Sequence, residues 1–220
     1  AEDPLYTTAL LPTSAVARRI GGILIRDLGL IVESSITTLD ALAMERLAGS
    51  PGAKLLLDQI GSEMIIRELL QDRGSDLPLF YEGPDLREGL VSPLRSFIST
   101  LLDFRVDYPS CLGELQSEKS TQIGKLFSWY LQLLKERNLM DGHQLMEWLA
   151  GDLMERPGER RGTLLVFGLY DPTPAEKTAV SALCKCFRKA VYFTMGGVDP
   201  VFEQDLSWLE VEGREFLGAS

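Results

Sequence analysis

Two pairs of hydroxyl side chains stand where the sequence predicts that helices begin. Thr13 and Ser14 precede one run with apolar residues at helical spacing, and Thr37 and Thr38 precede another. A helix N-terminus offers unpaired backbone N–H groups and the positive end of the helix dipole, so a hydroxyl there could help to bind a phosphate. The same residue types also serve as ordinary N-caps. The pattern indicates a phosphate-contacting edge or plain capping, and both interpretations stay open.

Three arginines give the first of these helices a basic face. Arg18 and Arg19 are adjacent, and their side chains diverge by about 100° on a helix, while Arg26 follows two turns later. Phosphate contact and a solvated surface are the two interpretations. The chain has 22 basic and 32 acidic residues and a net charge of −10, which opposes unaided binding to a polyanion. Any contact with nucleic acid would depend on local patches or on a partner subunit.

Few residues could carry acid–base, nucleophilic or metal chemistry. His143 is the only histidine and has no suitable partner at meaningful spacing, so an exposed or capping role is expected. Cys184 and Cys186 point in different directions on a predicted helix, and together with Cys111 they are interpreted as buried free thiols. One histidine and three cysteines are too few soft ligands for a zinc site. We therefore predict no catalytic residue, no metal and no cofactor.

The elements that must position these residues alternate between strands and helices at both ends of the chain. A short β-type run covers Tyr6 to Leu11, and the continuous apolar run TLLVFGL, Thr163 to Leu169, is typical of a strand buried on both faces. A helix is predicted from Ala175 to about Lys189, followed by a second buried strand from Ala190 to Met195. This alternation predicts an α/β fold with a parallel sheet.

The middle of the chain has a different pattern. From about Leu55 to Leu153 the apolar residues recur almost wholly at helical spacing. We expect a discontinuous α/β core, residues 1–50 and 158–220, interrupted by an all-helical insertion, residues 51–157. No apolar run reaches the roughly 18 residues of a membrane span, and the first residues lack the pattern of a signal peptide. A cytoplasmic protein without membrane association is expected.

Four segments, in this order, resemble the first motor domain of superfamily 1 DNA helicases of the UvrD type. LLPTSAVARRI (Leu10–Ile20) and TTLDALA (Thr37–Ala43) are similar to two segments that contact single-stranded DNA in that family. NLMDGHQLMEWL (Asn138–Leu149) is similar to the family's N-x-x-D-F-D-D-L-L, and TLLVFGLYDPTPAE (Thr163–Glu176) aligns with its Walker B strand. The resemblance implies a P-loop-NTPase-like (RecA-like) domain. It also makes DNA-contact candidates of Thr13, Ser14, Arg18, Arg19, Thr37 and Thr38.

The departures from that family concern the residues that hydrolyse ATP. Walker B normally supplies an Asp for Mg²⁺ and a Glu that positions the attacking water, but Phe167 and Gly168 stand at those positions. Neither side chain offers a carboxylate oxygen, and Asp171 is the acidic residue that keeps the family letter. The phosphate loop GxxxxGK[ST], expected before Tyr6, does not occur in the sequence. Asp40 replaces a family His and would repel a phosphate at its turn.

A helicase fold with a degenerate Walker B is similar to the AddB and RecC subunits of helicase–nuclease complexes. The resemblance implies a non-catalytic DNA-handling or scaffold part of an ATP-dependent complex that repairs double-strand breaks, with DNA and a motor subunit as partners. The acidic-Lys motif and the cysteine set of the AddB nuclease domain are missing from the sequence, so neither ATPase nor nuclease activity is expected. Two alternatives remain: a fragment of an active DNA helicase whose P-loop lies outside this chain, and a protein-interaction module without a DNA role.

Overall fold

The computed structural model describes residues 7–29, 36–51, 53–82, 85–86, 88–105, 117–157, 162–169 and 171–193. Its elements in chain order are β1 (Thr7–Leu11), α1 (Ser14–Leu28), β2 (Ile36–Thr38), α2 (Leu39–Ala48), β3 (Leu55–Leu57), α3 (Gln59–Arg73), β4 (Tyr81–Glu82), β5 (Asp85–Leu86), α4 (Glu88–Asp103), α5 (Glu118–Glu136), β6 (Leu139–Asp141), α6 (Leu145–Glu155), β7 (Thr163–Phe167), α7 (Pro174–Lys185) and β8 (Lys189–Phe193). Short 3₁₀ helices cover Gly74–Asp76 and Gly142–Gln144. Cys111 lies outside the described residues.

The chain divides into two compact units. The first combines Ala1–Ser50 with Met146–Ser220, and the second is Pro51–Leu145. Residues 146–157, which the sequence analysis assigned to the insertion, therefore group with the α/β elements. The reason is packing: Leu149, Ala150 and Leu153 of α6 are buried, and Asp152 bonds to Arg46 of α2.

The first unit contains a four-stranded parallel sheet in the order β2-β1-β7-β8, as the alternation of strands and helices predicted. The register brings Ile36, Ala9, Leu165 and Val191 into one row across the four strands. In β7, Leu164 and Val166 on one face are fully covered, and Leu165 and Phe167 on the other face are partly covered. Apolar side chains therefore occupy both faces of this strand, and its sequence does not alternate.

Threonines begin three helices of this unit. Thr13, Thr38 and Thr173 are the N-caps of α1, α2 and α7, and each side chain accepts a hydrogen bond from a backbone N–H of the first turn. Thr173 and Glu176 form a reciprocal capping box, with Pro174 in the first turn of the helix. The capping interpretation of Thr13 and Thr38 is therefore confirmed, which leaves the question of phosphate contact open.

The second unit is not all-helical, so that part of the sequence prediction is wrong. Besides α3, α4 and α5 it contains a parallel pair, β3 with β6, and an antiparallel pair, β4 with β5. Leu55 pairs with Leu139, and Leu57 with Asp141. Strands of two or three residues carry too little periodicity to be separated from helix, and the partners of β3 and β6 are far apart in sequence.

A buried polar network holds the second unit together around Asp141. Its carboxylate accepts hydrogen bonds from the hydroxyl of Ser62 on α3, 3.0 Å away, and from the hydroxyl of Tyr130 on α5. The backbone N–H of His143 donates to the other carboxylate oxygen at 2.9 Å. The side chains of Asp141, Ser62 and Tyr130 are almost completely covered by protein. Burying the charge is tolerated because its oxygens are satisfied by donors.

His143 is not the exposed or capping residue that its sequence context predicted, because its side chain is partly buried and bonded to a carboxylate. Its segment forms the 3₁₀ helix that Asp141 caps, and its ring Nδ1 lies 2.7 Å from Oδ1 of Asp103 on α4. The histidine thus ties α4 to the end of β6. Among the described residues, no helix is long and apolar enough to cross a membrane.

Candidate functional site

The carboxyl ends of the parallel strands bring most of the predicted site residues to one edge of the sheet. Leu11 at the end of β1 pairs with Thr38 at the end of β2, and Leu10 pairs with Val166 near the end of β7. The segments that follow these strands contain Thr13 and Ser14, the start of α2, and Gly168 with Asp171. Residues from three distant parts of the sequence therefore share this carboxyl edge.

The strand order creates a switch point between β1 and β7. From β1 the chain passes through α1 to β2 on one side, whereas from β7 it passes through α7 to β8 on the other side. Loops that leave neighbouring strands in opposite directions open a crevice, which is where open α/β sheets bind their ligands. The sequence does not reveal this switch point, because the order of the strands is a tertiary property.

The loop after β1 presents exposed polar groups at this edge. The Thr13 hydroxyl accepts a hydrogen bond from the Val16 backbone N–H at 3.3 Å. Nε of Arg18 donates to the Ser14 carbonyl oxygen at 3.4 Å, which keeps this guanidinium beside the first turn of α1. Arg19 is also exposed. Arg26 is about 18 Å from Ser14 along the helix axis and does not belong to the edge.

The loop after β2 is more enclosed. Thr38 is buried, and its hydroxyl accepts a hydrogen bond from the Ala41 backbone N–H at 3.1 Å. The Thr37 hydroxyl donates to the Thr38 carbonyl oxygen at 3.2 Å. Asp40 is exposed in the first turn of α2 and places a negative charge beside any anion that approached. Of the two hydroxyl pairs, Thr13 and Ser14 are therefore the more accessible to a ligand.

The end of β7 consists of Phe167 and Gly168 and presents no carboxylate. The ring of Phe167 stacks on Phe193 of β8 with centroids 4.1 Å apart and planes inclined by 7°. Gly168 has a φ of 63° and Asp171 a φ of 48°, so the turn uses left-handed backbone twice. The Tyr192 hydroxyl donates to the Leu169 carbonyl oxygen at 2.8 Å, which holds this turn against β8. Asp171 is an exposed turn residue.

Sequence reasoning missed Phe193 and Tyr192, the two residues of β8 that fix the turn. Both were predicted to lie in a buried strand, but their contacts depend on the register of β8 against β7, in which Phe193 pairs with Phe167. In the part of the chain that the structure describes, no group of three His, Cys, Asp or Glu side chains is placed to hold a metal ion. Cys184 and Cys186 are buried free thiols, and burial together with the nearby Cys186 raises the pKa of Cys184 to about 12.

The fold is that of a mixed α/β protein with a parallel sheet, and Phe167 and Gly168 occupy the carboxyl end of its strand β7. No protein-family model matches the chain, and no curated protein matches it either.

Proposed function

We propose that this chain is a non-catalytic, helicase-like part of an ATP-dependent helicase–nuclease complex for double-strand break repair. In this proposal the first unit is a RecA-like domain and the second unit is an insertion in it. The observation that carries the proposal is the pair Phe167 and Gly168, an aromatic stack and a left-handed turn at the end of a central parallel strand. In the resembling family, that strand end carries the two acids of Walker B.

The topology supports the proposal in two ways. The four helicase-like segments supply β1 with α1, β2 with α2, β6 with α6, and β7 with the start of α7. The loops after β1, β2 and β7 then reach one edge of one sheet, as a shared site for DNA and nucleotide would require. The cytoplasm, where such complexes repair DNA, is the expected location.

The absence of ATP turnover is the first test. We expect purified chain with Mg-ATP to release no phosphate above the background rate, because no carboxylate at the end of β7 can hold Mg²⁺ or orient water. Turnover that is lost when Asp171 is changed to Asn would contradict the non-catalytic part of the proposal and would favour the alternative of an active helicase fragment.

DNA contact is tested separately with a labelled single-stranded oligonucleotide and fluorescence anisotropy across a salt series. If Arg18 and Arg19 contact phosphates, the double change Arg18→Ala and Arg19→Ala should weaken binding and reduce the slope of log K against log salt by about 0.7 per lost contact. Lys135→Ala, an exposed cation on α5, is the matched control. Equal binding by the native chain and the double variant would remove these arginines from the proposed DNA site.

The alternative without DNA rests on charge. A net charge of −10 and the exposed Asp40 beside the candidate phosphate site both disfavour a polyanion. If the oligonucleotide does not bind even at low salt, the chain is better explained as a protein-interaction module within the same kind of complex, with DNA held by another subunit.

A further inference from the structure

Helix α1 presents a mixed apolar and cationic stripe to solvent. Val16, Arg19, Ile23 and Arg26 are three, four and three residues apart, the spacing of the contact seam of a helix that packs against another helix. Val16 is 37% and Ile23 39% exposed, and the two arginines are exposed as well. None of the described side chains of α1 is buried. We propose that this stripe, the α1 seam, docks an acidic amphipathic helix of a partner protein.

The apolar half of the α1 seam argues for a helix as the occupant. Val16 and Ile23 stand two helical turns apart on the same line, so an apolar stripe with the same repeat on a partner helix can cover both. The side of α1 that faces β1 and β2 consists of other residues, Ala17, Ile20, Gly21 and Leu24, which are partly buried. Val16 and Ile23 lie outside this set and are more exposed than its members.

The charged half of the α1 seam determines the chemistry of the occupant. Helix α1 contains three arginines and one aspartate in a chain with a net charge of −10, so it is a local basic surface on an acidic protein. Arg26 pairs with Asp27 at 3.0 Å, but the two side chains are 74% and 55% exposed, and such a pair is readily exchanged for another carboxylate. Glutamates or aspartates flanking the apolar stripe of the partner complement Arg19 and Arg26.

The apolar residues also favour a protein over DNA at this surface. A phosphate backbone is complemented by cations alone and leaves Val16 and Ile23 in water, whereas an amphipathic helix covers all four seam residues. The proposal goes beyond the function argued above and requires neither the RecA-like fold nor a DNA site. It does place the partner helix on Arg19, which the DNA proposal also uses, so DNA and the helix would compete for this residue.

The experiment uses the full chain and a labelled acidic peptide of about 20 residues, long enough to hold helix in water, with leucines on one stripe and glutamates beside it. Fluorescence anisotropy measures binding of this peptide, of a second peptide with lysines in place of the glutamates, and of a labelled single-stranded oligonucleotide. We expect the acidic peptide to bind and the lysine peptide not to bind.

Two double variants test the two halves of the α1 seam. Val16→Ala with Ile23→Ala should weaken acidic-peptide binding at least about tenfold, as loss of a central apolar contact does. Arg19→Glu with Arg26→Glu should abolish it and should create binding of the lysine peptide, a gain that unfolding cannot produce. Lys135→Glu on α5 is the charge-reversal control and should change the binding of neither peptide.

The proposal is overturned if the acidic peptide fails to bind at a concentration of about 1 mM, the weak limit of specific recognition. It is also overturned if either seam variant binds the acidic peptide as the native chain does, or if only the oligonucleotide binds. Because the oligonucleotide is measured in its own arm, a failure of the DNA role remains distinguishable from a failure of the α1 seam.

Discussion

The ring of Phe167 lies nearly parallel to the ring of Phe193, with 4.1 Å between their centroids. The pair joins the last residues of two neighbouring parallel strands, β7 and β8, and is only partly covered by protein. An aromatic contact of this kind stabilises a fold beyond the area that it buries. The strand end that could have carried catalytic acid is thus used for packing.

Under the proposed function, acidic side chains placed at the end of β7 should not create ATPase activity. We expect Phe167→Asp with Gly168→Glu to release no phosphate from Mg-ATP and to lower the free energy of unfolding by about 1–3 kcal/mol, less than truncation of a fully buried Phe. The loss has two causes, the broken stack and a β-carbon forced into left-handed backbone. Urea unfolding and a phosphate-release assay measure both quantities. Phe167→Leu is the control for apolar volume, and a smaller loss in the acidic variant than in this control would contradict the explanation.

The φ of 63° at Gly168 leads to a prediction with an internal control. Gly168→Ala should destabilise the protein by about 1 kcal/mol, because an L residue resists left-handed backbone. Gly22→Ala, in the interior of α1, should stabilise it by about 0.5–1 kcal/mol, since no atom lies within 4 Å of the position of the new methyl group and alanine favours helix. Urea midpoints of the two variants should move in opposite directions. A shift in the same direction would show that the Gly168 turn is not constrained.

Local patterns were sufficient for the parts of the fold that depend on neighbours in sequence. The apolar run after Gly162 predicts β7, and Thr13 and Thr38 are hydroxyl caps in front of periodic segments. The parallel sheet followed from the alternation of strands and helices.

Contacts between distant residues could not be obtained in this way. The pairing of Leu57 with Asp141 joins two three-residue strands that lie on either side of α3, α4 and α5, and neither strand has a detectable period. The stack of Phe167 on Phe193 and the bond from Tyr192 to Leu169 depend on register, which the composition of β8 does not encode. For this reason the sequence could propose candidate residues near the β7 turn, but it could not predict the contacts that fix this turn.

The hydrogen bond from Tyr130 to Asp141 should make stability depend on alkaline pH. Burial, followed by the nearby carboxylate of Asp141, raises the pKa of Tyr130 above its ordinary value. A raised pKa means that the contribution to stability is complete below the unfolded value, near about 10, and is lost as the pH rises through the folded value.

Tyr130→Phe should therefore lower the free energy of unfolding by about 1–3 kcal/mol at neutral pH, because Asp141 loses one of its buried donors. The difference in unfolding free energy between the native chain and this variant should shrink above about pH 10. In that range the tyrosine ionises more readily in the unfolded chain than in the folded one, so rising pH destabilises the native protein. Urea unfolding at several pH values measures this. Tyr192→Phe, whose hydroxyl bonds to a carbonyl instead of a carboxylate, is the control. A difference that stays constant to high pH would contradict the role of the Asp141 contact.

The opposite dependence is expected at acid pH from Asp152, whose side chain is 3% exposed. Burial alone would raise its pKa, but hydrogen bonds from Arg46 and Arg156 outweigh that effect, and the pKa is lowered. A lowered pKa means that the stabilisation is present above the unfolded value, near about 3.9, and is lost as the pH falls through the folded value.

Asp152→Asn should lower the free energy of unfolding by about 1–3 kcal/mol at pH 7, because the buried side chain loses charge-assisted hydrogen bonds to two arginines that remain partly solvated. Asp27→Asn removes an exposed pair with Arg26 and should have no measurable effect. Urea unfolding from pH 7 down to pH 3 compares the free energies of unfolding of the native chain and Asp152→Asn. This difference, the gap, should narrow only when the native carboxylate becomes protonated. A gap that is already closed at pH 5 would mean that the two arginines do not hold Asp152 in its charged form.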